Sequence, residues 1–170
     1  VSSPKKIIFD YGGPNIGKPL HVGHLRSLNI GRSLYNVNKL AGNTVISDIH
    51  MGDWGMPIAQ IIQYGIEKKI NFKKITIQEL EEIYPIASDL YSKNNDFTQL
   101  AQNINKNLNN NQKDLINKWK NIKGTSLRSL ESTLDQLNHK FDLWRGESDV
   151  NDLIPDMIED LKSKNKISLD

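Results

Sequence analysis

Phe9-Asp10-Tyr11-Gly12-Gly13-Pro14-Asn15-Ile16-Gly17-Lys18-Pro19-Leu20-His21-Val22-Gly23-His24-Leu25-Arg26-Ser27 is the stretch on which the fold of this chain turns. Its start belongs to an apolar run, Lys6 to Tyr11, that reads as a buried strand. Gly12 to Pro19 is rich in residues that bend the backbone or leave it uncovered. His21 then opens a periodic segment that predicts a helix from about Val22 to Leu40, ended by Gly42-Asn43 and followed by a second apolar strand from about Thr44 to Ile49. Strand, crossover helix and strand are most readily satisfied as a right-handed unit of a parallel sheet, so an α/β, Rossmann-like fold is expected, with its ligand at the carboxyl ends of the strands.

The chemistry of the loop follows from its backbone. The first N–H groups of a helix have no internal partner and the helix dipole favours negative charge beside them. His21 and His24, three residues apart, project from one side of that first turn, and Gly23 between them has no side chain to keep a ligand away. With Lys18 one turn upstream and Arg26 just downstream, four potential donors to phosphate oxygens fall in one short stretch. The plainer readings are polar helix-opening histidines and a solvated loop lysine.

The stretch from Phe9 to Ser27 resembles the first signature of the class I aminoacyl-tRNA synthetases, in the form used by the arginyl-tRNA synthetases. A second block, His50-Met51-Gly52-Asp53-Trp54-Gly55, is similar to the Gly-Asp-Trp-Gly segment that follows the second strand in the same family. The resemblance implies the first half of a class I nucleotide-binding fold, followed by a mainly helical connective insertion. It implies ATP with Mg2+, L-arginine and tRNA(Arg) as substrates and partners, in a monomeric cytoplasmic enzyme that joins the arginine carboxylate to the α-phosphate of ATP and passes the arginyl group to tRNA.

Under that resemblance Lys18, His21 and His24 are the catalytic candidates, and Gly17, Lys18, His21, Gly23 and His24 the ATP-binding ones. The attacking carboxylate is already an anion, so the step needs positioning and charge neutralisation more than a general base. A guanidinium calls for a carboxylate, because its paired donors suit a bidentate acceptor. Asp10 is the candidate, with a salt bridge to Lys18 or Arg26 as the competing reading. Gly12, Asn15, His50 and Asp53 complete the expected arginine-binding set, Asn15 through its amide. The Pro14-Asn15 pair could equally be a simple turn. Trp54 is expected to pack, with its indole N–H satisfied. The chain departs from the family pattern in having Gly12-Gly13 where paired serines are frequent and Gly17 where alanine is usual, which puts hydroxyl contacts at those positions in doubt.

Composition agrees with this reading. The 170 residues carry 25% charged side chains and a formal net charge of +2, with a mean hydropathy of −0.54. No apolar run reaches the length of a spanning helix and no signal peptide is visible. The absence of cysteine excludes disulfides and thiolate metal sites, in keeping with a reducing compartment. Residues 1–66 hold Lys5, Lys6, Lys18, Arg26, Arg32 and Lys39 against Asp10, Asp48 and Asp53, a basic excess that fits ATP but is too small to argue for extensive RNA binding.

Residues 1–66 are therefore expected to form the first half of the catalytic fold, and 67–170 the helical insertion. Ile58, Ile61, Ile62 and Ile66 mark one helix; Leu115, Ile116, Trp119 and Ile122, and then Leu127, Leu130, Leu134 and Leu137, mark others. Between them the asparagines at 103, 105, 107 and 109–111 predict a loop or a frayed helix end. Phe141 to Trp144 alternates like a short exposed strand. Val150, Leu153, Ile154, Met157, Ile158 and Leu161 trace a helix that Ser148 or Asp149 could cap, Pro155 fitting only near its first turn. The start at Val1 without an initiator methionine, and the strand-like Lys166 to Asp170, suggest a piece of a larger protein. Such a piece is expected to bind ATP weakly and to transfer no arginine.

Two rival functions fit parts of the pattern. A metal-dependent hydrolase could use His21, His24, His50 and Asp53, but helical zinc sites favour i, i+4 pairs, and no metal site is expected. A small nucleotidyltransferase would share the His-x-Gly-His site with a different acceptor substrate.

Overall fold

The computed structural model describes residues 3–167. The strand-like Lys166 to Asp170 lies mostly outside that range. Three parallel strands form one sheet in the order β1 (Lys6–Asp10), β2 (Thr44–Met51), β3 (Leu143–Gly146). Helix α1 (Val22–Leu40) crosses from β1 to β2, and α2 (Met56–Glu67), α3 (Ile77–Lys93), α4 (Asn95–Asn109) and α5 (Lys113–Gln136) make the long return to β3. A 3-10 stretch, Glu147–Leu153, then leads into α6 (Ile154–Ser163).

The sheet register follows the pleat. Ile8 pairs with Ile46 and Asp10 with Asp48, while Asp48, His50 and Met51 pair with Leu143, Arg145 and Gly146. Tyr11 just after β1, Ile49 of β2, Leu28 of α1 and Leu134 of α5 form one small core, with Phe9, Leu20, Phe141 and Trp144 packed against it. A larger core joins Ile16 of the loop to Ile58, Ile61 and Ile62 of α2 and to buried residues of α3, α4 and α5.

Several local expectations are corrected. The second strand runs two residues beyond Ile49, because His50 and Met51 find partners on β3. Phe141 to Trp144 is not a separate exposed strand: residues 143–146 hydrogen-bond to β2, and Phe141 packs 4.6 Å from the Tyr11 ring. The sheet therefore takes its third strand from the 67–170 region. The asparagine-rich stretch is helical to Asn109, since Phe97, Ala101, Ile104 and Leu108 recur on the face that meets the core while most asparagines face solvent. The two leucine stripes after Lys113 lie on the single helix α5, and Leu137 falls beyond its end, exposed. Pro155 sits in the first turn of α6 as required, but Val150 and Leu153 belong to the 3-10 stretch and neither Ser148 nor Asp149 caps α6: Asp149 accepts the Gly146 N–H at 2.9 Å and the Ser148 hydroxyl is taken by Asp53.

Candidate active site

The imidazoles of His21 and His24 are locked by the helix start itself. His21 is the N-cap: its Nδ1 accepts the Gly23 N–H at 3.1 Å, and its own N–H donates to His24 Nδ1 at 3.2 Å. This is a reciprocal capping box in which two imidazoles replace the usual hydroxyl and carboxylate. The rings lie 4.0 Å apart at 44°. Burial, the neighbouring His21 and the Lys18 ammonium push His24 below its ordinary value, which favours the neutral form. His24 Nδ1 also lies 3.3 Å from the His21 carbonyl oxygen, so the backbone of His21 engages that nitrogen from both sides, and on each ring Nε2 is the nitrogen left for a ligand.

Gly23 is required by this arrangement. A Cβ there would stand 2.8 Å from the His21 ring. Gly17, upstream, holds φ at +85°, and its Cβ would meet Ile61 at 2.6 Å. The loop is thus pressed against α2, with Ile16 buried beneath it. Its carboxyl half is tied to α5, where Ser126 Oγ accepts the Gly17 N–H at 2.9 Å. Its amino half is tied to the end of β2: Gly52 N–H donates to Pro14 O and Ile16 N–H to Gly52 O, both at 3.0 Å. Lys18 extends from the loop with its Nζ 4.9 Å from the centre of the Tyr84 ring on α3.

The second motif block packs around Asn15. A Cβ on Gly52 would fall 1.9 Å from Asn15 Oδ1, so glycine admits that amide. Asp53 is fully buried; Lys123 Nζ lies 2.5 Å from its carboxylate, and the Ser148 N–H and hydroxyl donate to it at 2.8 and 2.6 Å. Gly146 leaves room for that carboxylate. Trp54 stands edge-on to Trp119 at 5.1 Å and donates its indole N–H to Asn109.

The expected residues therefore fall into separate groups. Lys18, His21, Gly23 and His24 share the helix start. Asn15 lines a pocket of about 160 Å3 with Ile16, Gly52, Trp54, Tyr84 and Glu147. Asp10 is exposed and lines a different groove of about 390 Å3 with Gly23, Arg26 and Ser27; among the described residues it makes no salt bridge to Lys18 or Arg26. Gly12 is buried under α1, its N–H donating to Ser27 Oγ at 3.0 Å, so it shapes the loop. His50 faces Asp48, 3.7 Å away. Asp53 has no free oxygen to offer a ligand, because its carboxylate is taken up by Lys123 and Ser148.

Sequence reasoning missed Glu147, Tyr84 and Ser126. Glu147 follows β3 directly, so it stands at the carboxyl edge of the sheet, where ligands of such folds gather. The signal was recoverable only by assigning residues 143–146 to the sheet. Tyr84 and Ser126 carry no local mark of function.

A family model described as class I tRNA synthetases (R), catalytic domain, matches residues 1–170. An arginine–tRNA ligase of Agathobacter rectalis is 38% identical over 178 residues, covering 96% of this chain and 30% of that protein. One of Wigglesworthia glossinidia brevipalpis is 41% identical over 164 residues, covering 95% and 28%. Among solved structures, the arginyl-tRNA synthetase of Plasmodium falciparum superposes with a TM-score of 0.77 at 26% identity, over 98% of this chain and 28% of that one. The chain spans about 30% of the length of the curated relatives it matches. These matches lend no support to a small nucleotidyltransferase.

Proposed function

The chain belongs to the class I tRNA synthetase (R) catalytic-domain family, and from that premise we propose that it supplies the phosphate-binding half of an arginine–tRNA ligase active site. The observation that carries this reading is the imidazole pair, whose Nδ1 atoms are held by the backbone so that both Nε2 atoms remain for a ligand at the amino end of α1. In the proposed reaction the arginine carboxylate attacks the α-phosphorus of ATP and the bond to pyrophosphate breaks. His21 and His24 offer Nε2 to phosphate oxygens, Lys18 adds a point charge, and the dipole of α1 favours the negative charge at its amino end. Fixed donors of this kind need no reorganisation as charge shifts, which is where their catalytic value lies. Magnesium would arrive on the phosphates of the nucleotide.

The pocket of Asn15, Tyr84 and Glu147 supports arginine recognition. Its volume of about 160 Å3 suits one side chain rather than a nucleotide, Glu147 offers a carboxylate to paired guanidinium donors, and the Tyr84 and Trp54 rings suit a flat cation. Asp10 and His50, at the ends of β1 and β2, are proposed to meet the rest of the amino acid. Asp53 is proposed as a structural residue. Residues 1–66 are read as the first half of the catalytic fold and the helices of 67–170 as a connective insertion that supports it and meets the acceptor end of tRNA(Arg). No described helix is long and apolar enough to cross a membrane. An enzyme of translation is proposed to act in the cytoplasm.

The test is ATP–pyrophosphate exchange by the full-length enzyme with each amino acid, with and without tRNA. Exchange that depends on arginine is expected. Dependence on another amino acid, or none, would sink the reading.

A further inference from the structure

We propose that Ser126, in the middle of α5, is a positioning residue for the phosphate half of the site, acting through the Gly17 N–H; the proposal rests on the function given above. Ser126 is fully buried, and its Oγ donates to Ile122 O at 2.9 Å, which orients its lone pairs away from its own helix. The Gly17 N–H that it accepts comes from a residue 109 positions earlier. Gly17 is itself buried and held at φ +85° against Ile61, so no water competes for that N–H. The next residue is Lys18.

The loop is thus fastened at two points by different elements. Pro14 and Ile16, flanking Asn15, are pinned to Gly52 on the sheet; Gly17, flanking Lys18, is pinned to Ser126 on the helical insertion. Loss of the second fastening leaves a buried N–H without a partner, and the loop relieves this by turning Gly17 toward water. That movement carries Lys18 off the phosphates and leaves the Asn15 pocket in place. The helical region, which shows no motif of its own, therefore sets the grip on ATP.

The experiment is arginine-dependent ATP–pyrophosphate exchange by the full-length enzyme, with Ser126→Ala, Ser126→Cys and Ser126→Thr. Ser126→Ala is expected to lower kcat/KM for ATP by about tenfold, with KM for arginine changed less than about twofold. Ser126→Thr, which keeps the hydroxyl, should restore most of the loss. The near-isosteric Ser126→Cys, a weak acceptor, should share the ATP defect and decides the matter if the alanine variant does not fold. Hydrogen exchange of the Gly17 amide should accelerate in the alanine and cysteine variants while the Gly52 and Ile16 amides keep their protection. Equal rises in both KM values, or unchanged ATP kinetics with a freed Gly17 amide, would overturn the proposal. An unmodified enzyme silent with arginine would instead refute the assigned function, before any variant is compared.

Discussion

At the scale of single residues, the site depends on atoms that do two tasks. Each imidazole caps the helix with Nδ1 and, in the proposed function, keeps Nε2 for the phosphates, so its removal should cost catalysis and a cap together. Replacing His21 or His24 by alanine is expected to slow pyrophosphate exchange by about 10²- to 10³-fold, a typical loss for one fixed donor, with the arginine KM little changed. Gly23→Ala disturbs both tasks through His21: its Cβ would displace the ring and with it the cap, a loss of about 1 kcal/mol that the roughly 0.5–1 kcal/mol helix preference of alanine over glycine offsets, so thermal unfolding should change little while exchange falls at least about tenfold. Acid sensitivity also resides here. Burial, then the charges around each, hold His24 and His139 below their ordinary values, so the unfolded chain binds protons more readily than the folded one. Their contribution is complete above the unfolded value of 6.5 and is lost as pH falls through the lower folded values. Urea midpoints should decline from about pH 7.5 to about pH 5.5, and His139→Gln should flatten that decline.

Elements are joined by a few buried polar contacts that local pattern cannot announce. Asp53, just past β2, is tied to Lys123 on α5 and to Ser148 after β3, and Gly146 is shaped to leave room for it. Asp53→Ala would leave the Lys123 ammonium largely enclosed without a counter-charge, and urea denaturation should report a loss of about 3 kcal/mol. A loss under about 1 kcal/mol would mean that Lys123 finds water instead. The helices were legible where an apolar face recurs: α1 and its boundaries follow from His21 and Gly42, and α2 from its isoleucines. They were less legible where composition and burial disagree. In α4 the stripe of Phe97, Ala101, Ile104 and Leu108 outweighs the poor propensity of the asparagines between them. In α5 the weak stretch Gly124-Thr125-Ser126 stays helical because the apolar face on either side of it is buried, Leu115 and Ile122 before it and Leu130 and Leu134 after it.

At the scale of the whole molecule, the described residues form two cores, and α5 belongs to both. Its Leu115 and Ile122 lie in the larger core with Ile16 of the loop, and its Leu134 lies under the sheet with Tyr11 and Ile49. Unfolding should therefore be one transition, with far-UV circular dichroism and tryptophan fluorescence giving the same urea midpoint. A chain cut to residues 1–66 should not fold, because Ile16, Ile58, Ile61 and Ile62 would lose the helices that cover them. By itself the sequence determined the βαβ unit, the glycine-rich loop between strand and helix, and the family, since each is written in contiguous residues: periodicity, turn chemistry and a capped helix start act over a few positions. Only the tertiary structure decided that Asp53 is a buried anchor, that residues 143–146 complete the sheet, and that Glu147 and Tyr84 share a pocket with Asn15. Those outcomes depend on partners about 70 to 130 positions apart, brought together by burial, and no local rule for charge or propensity carries information over that distance.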